Sequence, residues 1–160
     1  ASGILAHGHP TVFVLDTGIS TRASVERALT RIGTGHALHL KVHEGRRYRR
    51  TVIELSRQGH GSHADELETS LMLAIAPDRV DMARAEASPP ITQPAPGRLT
   101  PTDRTSPNYS PSGSFGDPTP ATRAKGEALL AAMLDDLAEQ AASFLAARPG
   151  IAGRITDAAP

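Results

Sequence analysis

A chain of 160 residues, 39% hydrophobic and 21% charged, has the makeup of one globular domain with a core of its own. Seventeen basic residues balance seventeen acidic ones, which removes the charge that a nucleic-acid backbone or an anionic membrane surface selects for. Cysteine is absent, so disulfides and thiolate metal sites are excluded, and any metal must rest on His, Asp, Glu, backbone or water.

The first residues, ASGILAHGH, hold Ile4 and Leu5 as their only large apolar side chains. They lack the charged-then-apolar pattern of a signal, and no run reaches the roughly 18 apolar residues of a membrane span, so a cytoplasmic protein without membrane or nucleic-acid partners is expected. Thr11-Val12-Phe13-Val14-Leu15 is a β-branched and aromatic run that predicts a strand buried on both faces, followed by a turn at Asp16-Thr17-Gly18-Ile19-Ser20-Thr21. Ser24 is placed to cap a short helix carrying Val25, Leu29 and Ile32, with Gly33 to stop it. His36 to Val42 predicts a second strand.

Two strands joined through a helix make a parallel β-α-β unit, and ligands in such sheets gather at the carboxyl ends of the strands, where Asp16 and Ser20 fall. The turn lacks G-x-G-x-x-G spacing, so a dinucleotide site is not expected. Tyr48 to Gln58 suits a half-exposed helix. A further helix is predicted over 66–76, broken by Pro77. Nine of the thirteen prolines fall between Ser88 and Pro120, which marks a long loop. Such loops are functional or solvated crossings, and Ser110 and Ser112 lie where a substrate-covering segment would offer hydroxyls. Thr119-Pro120 predicts the start of a long helix, with Leu130, Met133, Leu137, Phe144 and Leu145 on its apolar face and Pro149-Gly150 to end it. The expected organisation is a single domain over 1–148 with the loop 88–120, and a tail at 149–160.

The densest chemistry lies at 59–70, where His60, His63, Asp65, Glu66 and Glu68 fall within nine residues just before an apolar run. Imidazoles and carboxylates converging on divalent metal would activate water for hydrolysis. The plainer reading is a helix cap: Asp65 at the N-cap and Glu68 three residues on form a D-x-x-E capping box. His36 and His39 alternate to opposite faces of their strand and are read as structural, as are His7, His9 and His43.

His63-Ala64-Asp65-Glu66-Leu67-Glu68-Thr69-Ser70-Leu71-Met72-Leu73, then Ala76-Pro77, Val80-Asp81-Met82, Ser110-Pro111-Ser112-Gly113, Gly116-Asp117-Pro118-Thr119 and Lys125-Gly126-Glu127 together resemble the creatininase (creatinine amidohydrolase) family. The resemblance spans about residues 4–147. It implies an α/β fold with a parallel sheet and flanking helices, truncated at the N-terminus to the family's C-terminal two-thirds. It also implies a homo-oligomeric amidohydrolase that opens an amide C–N bond of a small, often cyclic molecule with divalent metal: zinc, manganese or iron. The family motif H-A-x-E-x-E-T-S makes His63 the proton-transfer residue, Glu66 its catalytic companion and Glu68 a metal ligand. Asp16 is the second metal candidate, and Ser20, Ser110 and Ser112 are the substrate-binding candidates.

The family's E-x-H-G-P-H segment of first metal ligands lies upstream of the strand matched here, so another chain or segment is expected to supply those ligands. Where many members have N-G-H-G-G-N, Gly18 stands in place of the imidazole. The alternative function is a non-catalytic binding or assembly subunit that keeps the fold without a complete metal site. Under the enzyme reading Asp16, His63 and Glu68 are expected to be neighbours in one pocket beneath residues 110–116.

Overall fold

The computed structural model describes residues 2–9, 11–18, 21–33, 35–59, 61–88 and 99–148. Ser20, His60, the stretch 89–98 and the tail 149–160 lie outside the described residues. Its elements are α1 (Ser2–Ala6), β1 (Val12–Asp16), α2 (Arg22–Ile32), β2 (Ala37–Lys41), α3 (Arg46–Leu55), α4 (Glu66–Ile75), the 3-10 turns Pro77–Arg79 and Met82–Arg84, and α5 (Arg123–Ala146). Among the described residues no helix is long and apolar enough to cross a membrane. They gather into two compact units, one running up to Arg49 and resuming at Met133, the other Arg50–Ala132.

In the first unit β1 and β2 pair in parallel, with Val12 opposite Ala37 and Asp16 opposite Lys41, and α2 is the crossover. This is the β-α-β arrangement that the alternation of apolar strand and amphipathic helix calls for. β1 is not buried on both faces, however: Phe13 is 39% and Leu15 57% exposed. Period-two alternation puts both on one face, and only Asp16 of the strand is buried. Phe13 nevertheless meets Phe144 edge-on, ring centroids 5.8 Å apart. Leu29, Leu40, Val42, Tyr48 and Met133 are the buried apolar centre of this unit.

The helix starts differ from expectation. Thr21, not Ser24, precedes α2, and the Ser24 amide donates to the Thr21 carbonyl inside the first turn. Thr21 gives its hydroxyl to Asp16 instead, because the turn and not the helix end needs that group. Gly33 does end α2, at φ 93, with its amide on the Leu29 carbonyl. α3 takes its cap from far along the chain: Asp136 accepts from the Tyr48 amide at 2.8 Å and the Arg47 amide at 3.2 Å. Burial raises the Asp136 pKa, but these amides and the Arg47 guanidinium outweigh it and hold the carboxyl below its ordinary range. α5 begins after Thr119-Pro120: Thr122 accepts the Lys125 amide on its hydroxyl and the Gly126 amide on its carbonyl. Pro120 instead gives its carbonyl to the Lys125 ammonium.

In the second unit α4 and the first turns of α5 lie against each other at Gly126. A Cβ there would overlap the Ser70 carbonyl, so the close approach depends on its absence. Ser70 closes the contact by donating to the Glu66 carbonyl at 2.6 Å and accepting the Thr122 amide at 3.1 Å.

Candidate functional site

The loop before α4 is fixed from several directions. Asp65 is the N-cap, accepting the Leu67 and Glu68 amides at 3.0 Å each. Gln58 donates to the other Asp65 oxygen at 2.7 Å, while its carbonyl oxygen accepts the amides of Glu66 at 3.2 Å and Asp117 at 3.3 Å. A short antiparallel bridge joins His63 to Phe115, the Phe115 amide donating to the His63 carbonyl at 2.7 Å. Residues 110–116 are thereby stitched to the His63 loop.

Glu68 completes the expected box with a shift of one residue: its Oε2 accepts the amide of Ala64, not of Asp65, at 2.7 Å. Ala64 sits at φ 48, the one non-glycine residue at positive φ among those described. That conformation costs an L-residue roughly 1–2 kcal/mol, and the carboxylate is one of the bonds that hold it. The same oxygen lies 3.6 Å from His63 Nδ1, in a pair of side chains 62% and 45% exposed. His63 and Glu68 are therefore together and open to solvent.

Glu66 and Ser110 are engaged elsewhere. Glu66 has no exposed surface. Its Oε2 accepts the Arg57 amide at 2.7 Å and the Gln58 amide at 2.8 Å, and its Oε1 is bonded to the Lys125 ammonium. Burial pushes the Glu66 pKa up, yet Lys125 and the two amides more than reverse this and the carboxyl stays ionised below its ordinary range. A buried carboxylate with both oxygens committed is a strut for the loop. Ser110 is 1% exposed and spends its hydroxyl on the Ser114 carbonyl at 2.6 Å.

Ser112 stays accessible to a cleft of about 390 Å³ in the second unit, lined among others by Glu68, Met72, Arg79, Arg84, Ser112 and Ser114. That volume suits a small molecule.

Asp16 belongs to the first unit. It is 8% exposed, with Oδ1 accepting the Thr21 hydroxyl and the Gly18 amide and Oδ2 2.8 Å from His39 Nε2. The Thr21 hydroxyl leads in holding its carboxyl below the ordinary range, with His39 and the Gly18 amide adding to it. His39, read from the sequence as structural, is thus the partner of a site candidate. The signal was in the parallel register, which sets His39 opposite Val14 and Lys41 opposite Asp16 on one face. Its Nδ1 is buried without a partner among the described residues. No three His, Asp or Glu side chains among those residues form a group that could hold a metal. By themselves they do not fit a metal centre, which needs at least three protein ligands.

The family model for creatininase, described as creatinine amidohydrolase, matches residues 4–141. Among solved structures, a creatininase with a tryptophan-to-alanine substitution is similar at TM-score 0.65 and 24% identity, over 86% of this chain and 58% of that one. A manganese creatininase gives 0.64 and 24% over the same shares. A glutamate-to-glutamine creatininase complexed with creatine gives 0.64 and 22%, over 90% of this chain and 59% of that one. The chain spans less than two thirds of the length of these creatininases. No protein with a curated description matches it.

Proposed function

The chain belongs to the creatininase family, and from that premise we propose that it serves as a metal-dependent amidohydrolase of creatininase type, hydrolysing an amide C–N bond in a small, cyclic or open molecule. The observation that carries this reading is the His63–Glu68 pair, 3.6 Å apart, with Glu68 on the wall of the cleft. In this role Glu68 orients the ring through Nδ1, and Nε2 carries a proton to the departing amide nitrogen. Imidazole suits the task because one ring nitrogen can be held by a carboxylate while the other gives or takes the proton. The strut from Glu66 and the bridge to Phe115 keep the loop in place while the proton moves.

The divalent metal of this reading, zinc, manganese or iron, needs ligands beyond the described residues, from another segment or a partner chain. Glu68 is the better of the chain's own two candidates, because Asp16 already serves Thr21, Gly18 and His39. Metal analysis of the purified chain, before and after reconstitution with manganese or zinc, tests the proposal. Bound metal that raises the melting temperature, with the rise lost in Glu68→Ala, is the expected result. No metal above trace and no change on reconstitution would remove the catalytic role.

A second reading, a non-catalytic assembly or binding subunit, is favoured by one observation: Asp65, Glu66 and Glu68 all serve the loop and helix start. Under it, Glu68→Ala costs about 1 kcal/mol of stability and alters no ligand affinity.

A further inference from the structure

The cleft beside Glu68 carries more than a proton shuttle needs, and the substrate class it points to rests on the amidohydrolase reading. Two consecutive 3-10 turns, Pro77–Arg79 and Met82–Arg84, each end in an arginine, and both arginines line the cleft. Neither guanidinium has an ion pair or hydrogen bond among the described residues. Besides Glu68, two carboxylates share the lining, Asp81 and Glu86, and neither is paired with them. Asp81 is turned to its own backbone, accepting the Ala83 amide at 3.1 Å. On the same lining the hydroxyls of Ser112 and Ser114 lie 2.8 Å apart.

A guanidinium presents its donors as a rigid fork that fits a carboxylate with two parallel bonds, and an unpaired fork on a cleft wall favours an anionic group over a neutral one. We propose that Arg79 and Arg84 hold the anionic end of the substrate, so that the amide opened beside His63 and Glu68 belongs to a small molecule that also bears a carboxylate. In the Ser112–Ser114 pair one hydroxyl donates to the other, which leaves one neutral donor for the same molecule. The cleft volume of about 390 Å³ admits a ligand of that size.

The test is equilibrium binding, by titration calorimetry, of N-acetylglycine and of its uncharged counterpart N-acetylglycinamide to the full chain. The acid should bind at least about tenfold more tightly than the amide, the scale of one charge-assisted contact. That preference should disappear in Arg79→Gln/Arg84→Gln and return in part in Arg79→Lys/Arg84→Lys. It should persist in Arg104→Gln, an exposed arginine of the same unit outside the cleft lining. Equal binding of the two probes, absence of binding by the acid, or a preference that survives the double Gln variant would each overturn the assignment. Because the readout is binding, it stands apart from turnover. A chain that prefers the acid yet hydrolyses nothing would contradict the amidohydrolase reading and leave the anion site.

Discussion

The Lys125 ammonium is bonded to Glu66 Oε1 inside the second unit, with the carboxylate wholly buried and the lysine side chain 12% exposed. Taking one charge away strands the other in a medium that solvates it poorly. Lys125→Met is therefore expected to cost about 3–5 kcal/mol, while Lys125→Met combined with Glu66→Leu costs much less. Urea unfolding of the three proteins measures this, and a double variant no more stable than Lys125→Met would contradict it.

Acid should weaken the fold through the same carboxylate. Glu66 and Asp136 both have folded pKa values below their ordinary 4.5 and 3.8. A depressed carboxyl contributes stability that is fully present above its unfolded pKa and is lost as pH falls through the folded one. Melting temperature should thus hold down to about the unfolded carboxylate range, near pH 4, and then decline. Glu66→Gln should flatten that decline, and an unchanged acid profile in this variant would count against Glu66 as a source.

Gly126→Ala sets two effects against each other. Alanine is the better helix former by about 1 kcal/mol, but its Cβ would overlap the Ser70 carbonyl, which is backbone and cannot swing aside. Overpacking costs roughly 1–3 kcal/mol and more where backbone must move, so net destabilisation is expected. A raised melting temperature in Gly126→Ala would show that the two helices part without cost.

Assembly is the fourth expectation. Leu15 and Leu134 are each 57% exposed and Phe13 39% in the first unit, and apolar surface of this kind is normally covered by a partner. Sedimentation should find a multimer, a homo-oligomer in the proposed reading, whereas a stable monomer of 16.8 kDa at micromolar concentration would defeat this.

Much of this was legible in the residues. Strand β1, the crossover α2 with its Gly33 stop, and the Asp65 cap follow from local rules of periodicity and capping, and the structure shows each. What local rules missed is what depends on distant partners. The cap of α3 comes from Asp136, nearly ninety residues later. The role of Glu66 is set by Lys125, a pairing with no signature in spacing, and Asp16 meets His39 only once the parallel register of the two strands is known. Ser110 looked available because a Pro-rich loop suggests exposure, yet the Ser110–Ser114 bond buries it. The family motif found the His63 loop, and only coordinates separate Glu68, open to the cleft, from Glu66, closed within the unit.

Hydrolysis itself tests the central claim most directly: release of amine from small carboxylate-bearing amides by the manganese-loaded protein, together with the segment or partner chain that completes its metal site, compared with its His63→Gln variant. Loss of a general acid–base group typically costs 10²–10⁴ in rate, so the variant should be slower by at least about a hundredfold with its melting temperature unchanged. Amine release no faster than in buffer, or equal rates for the two proteins, would contradict it.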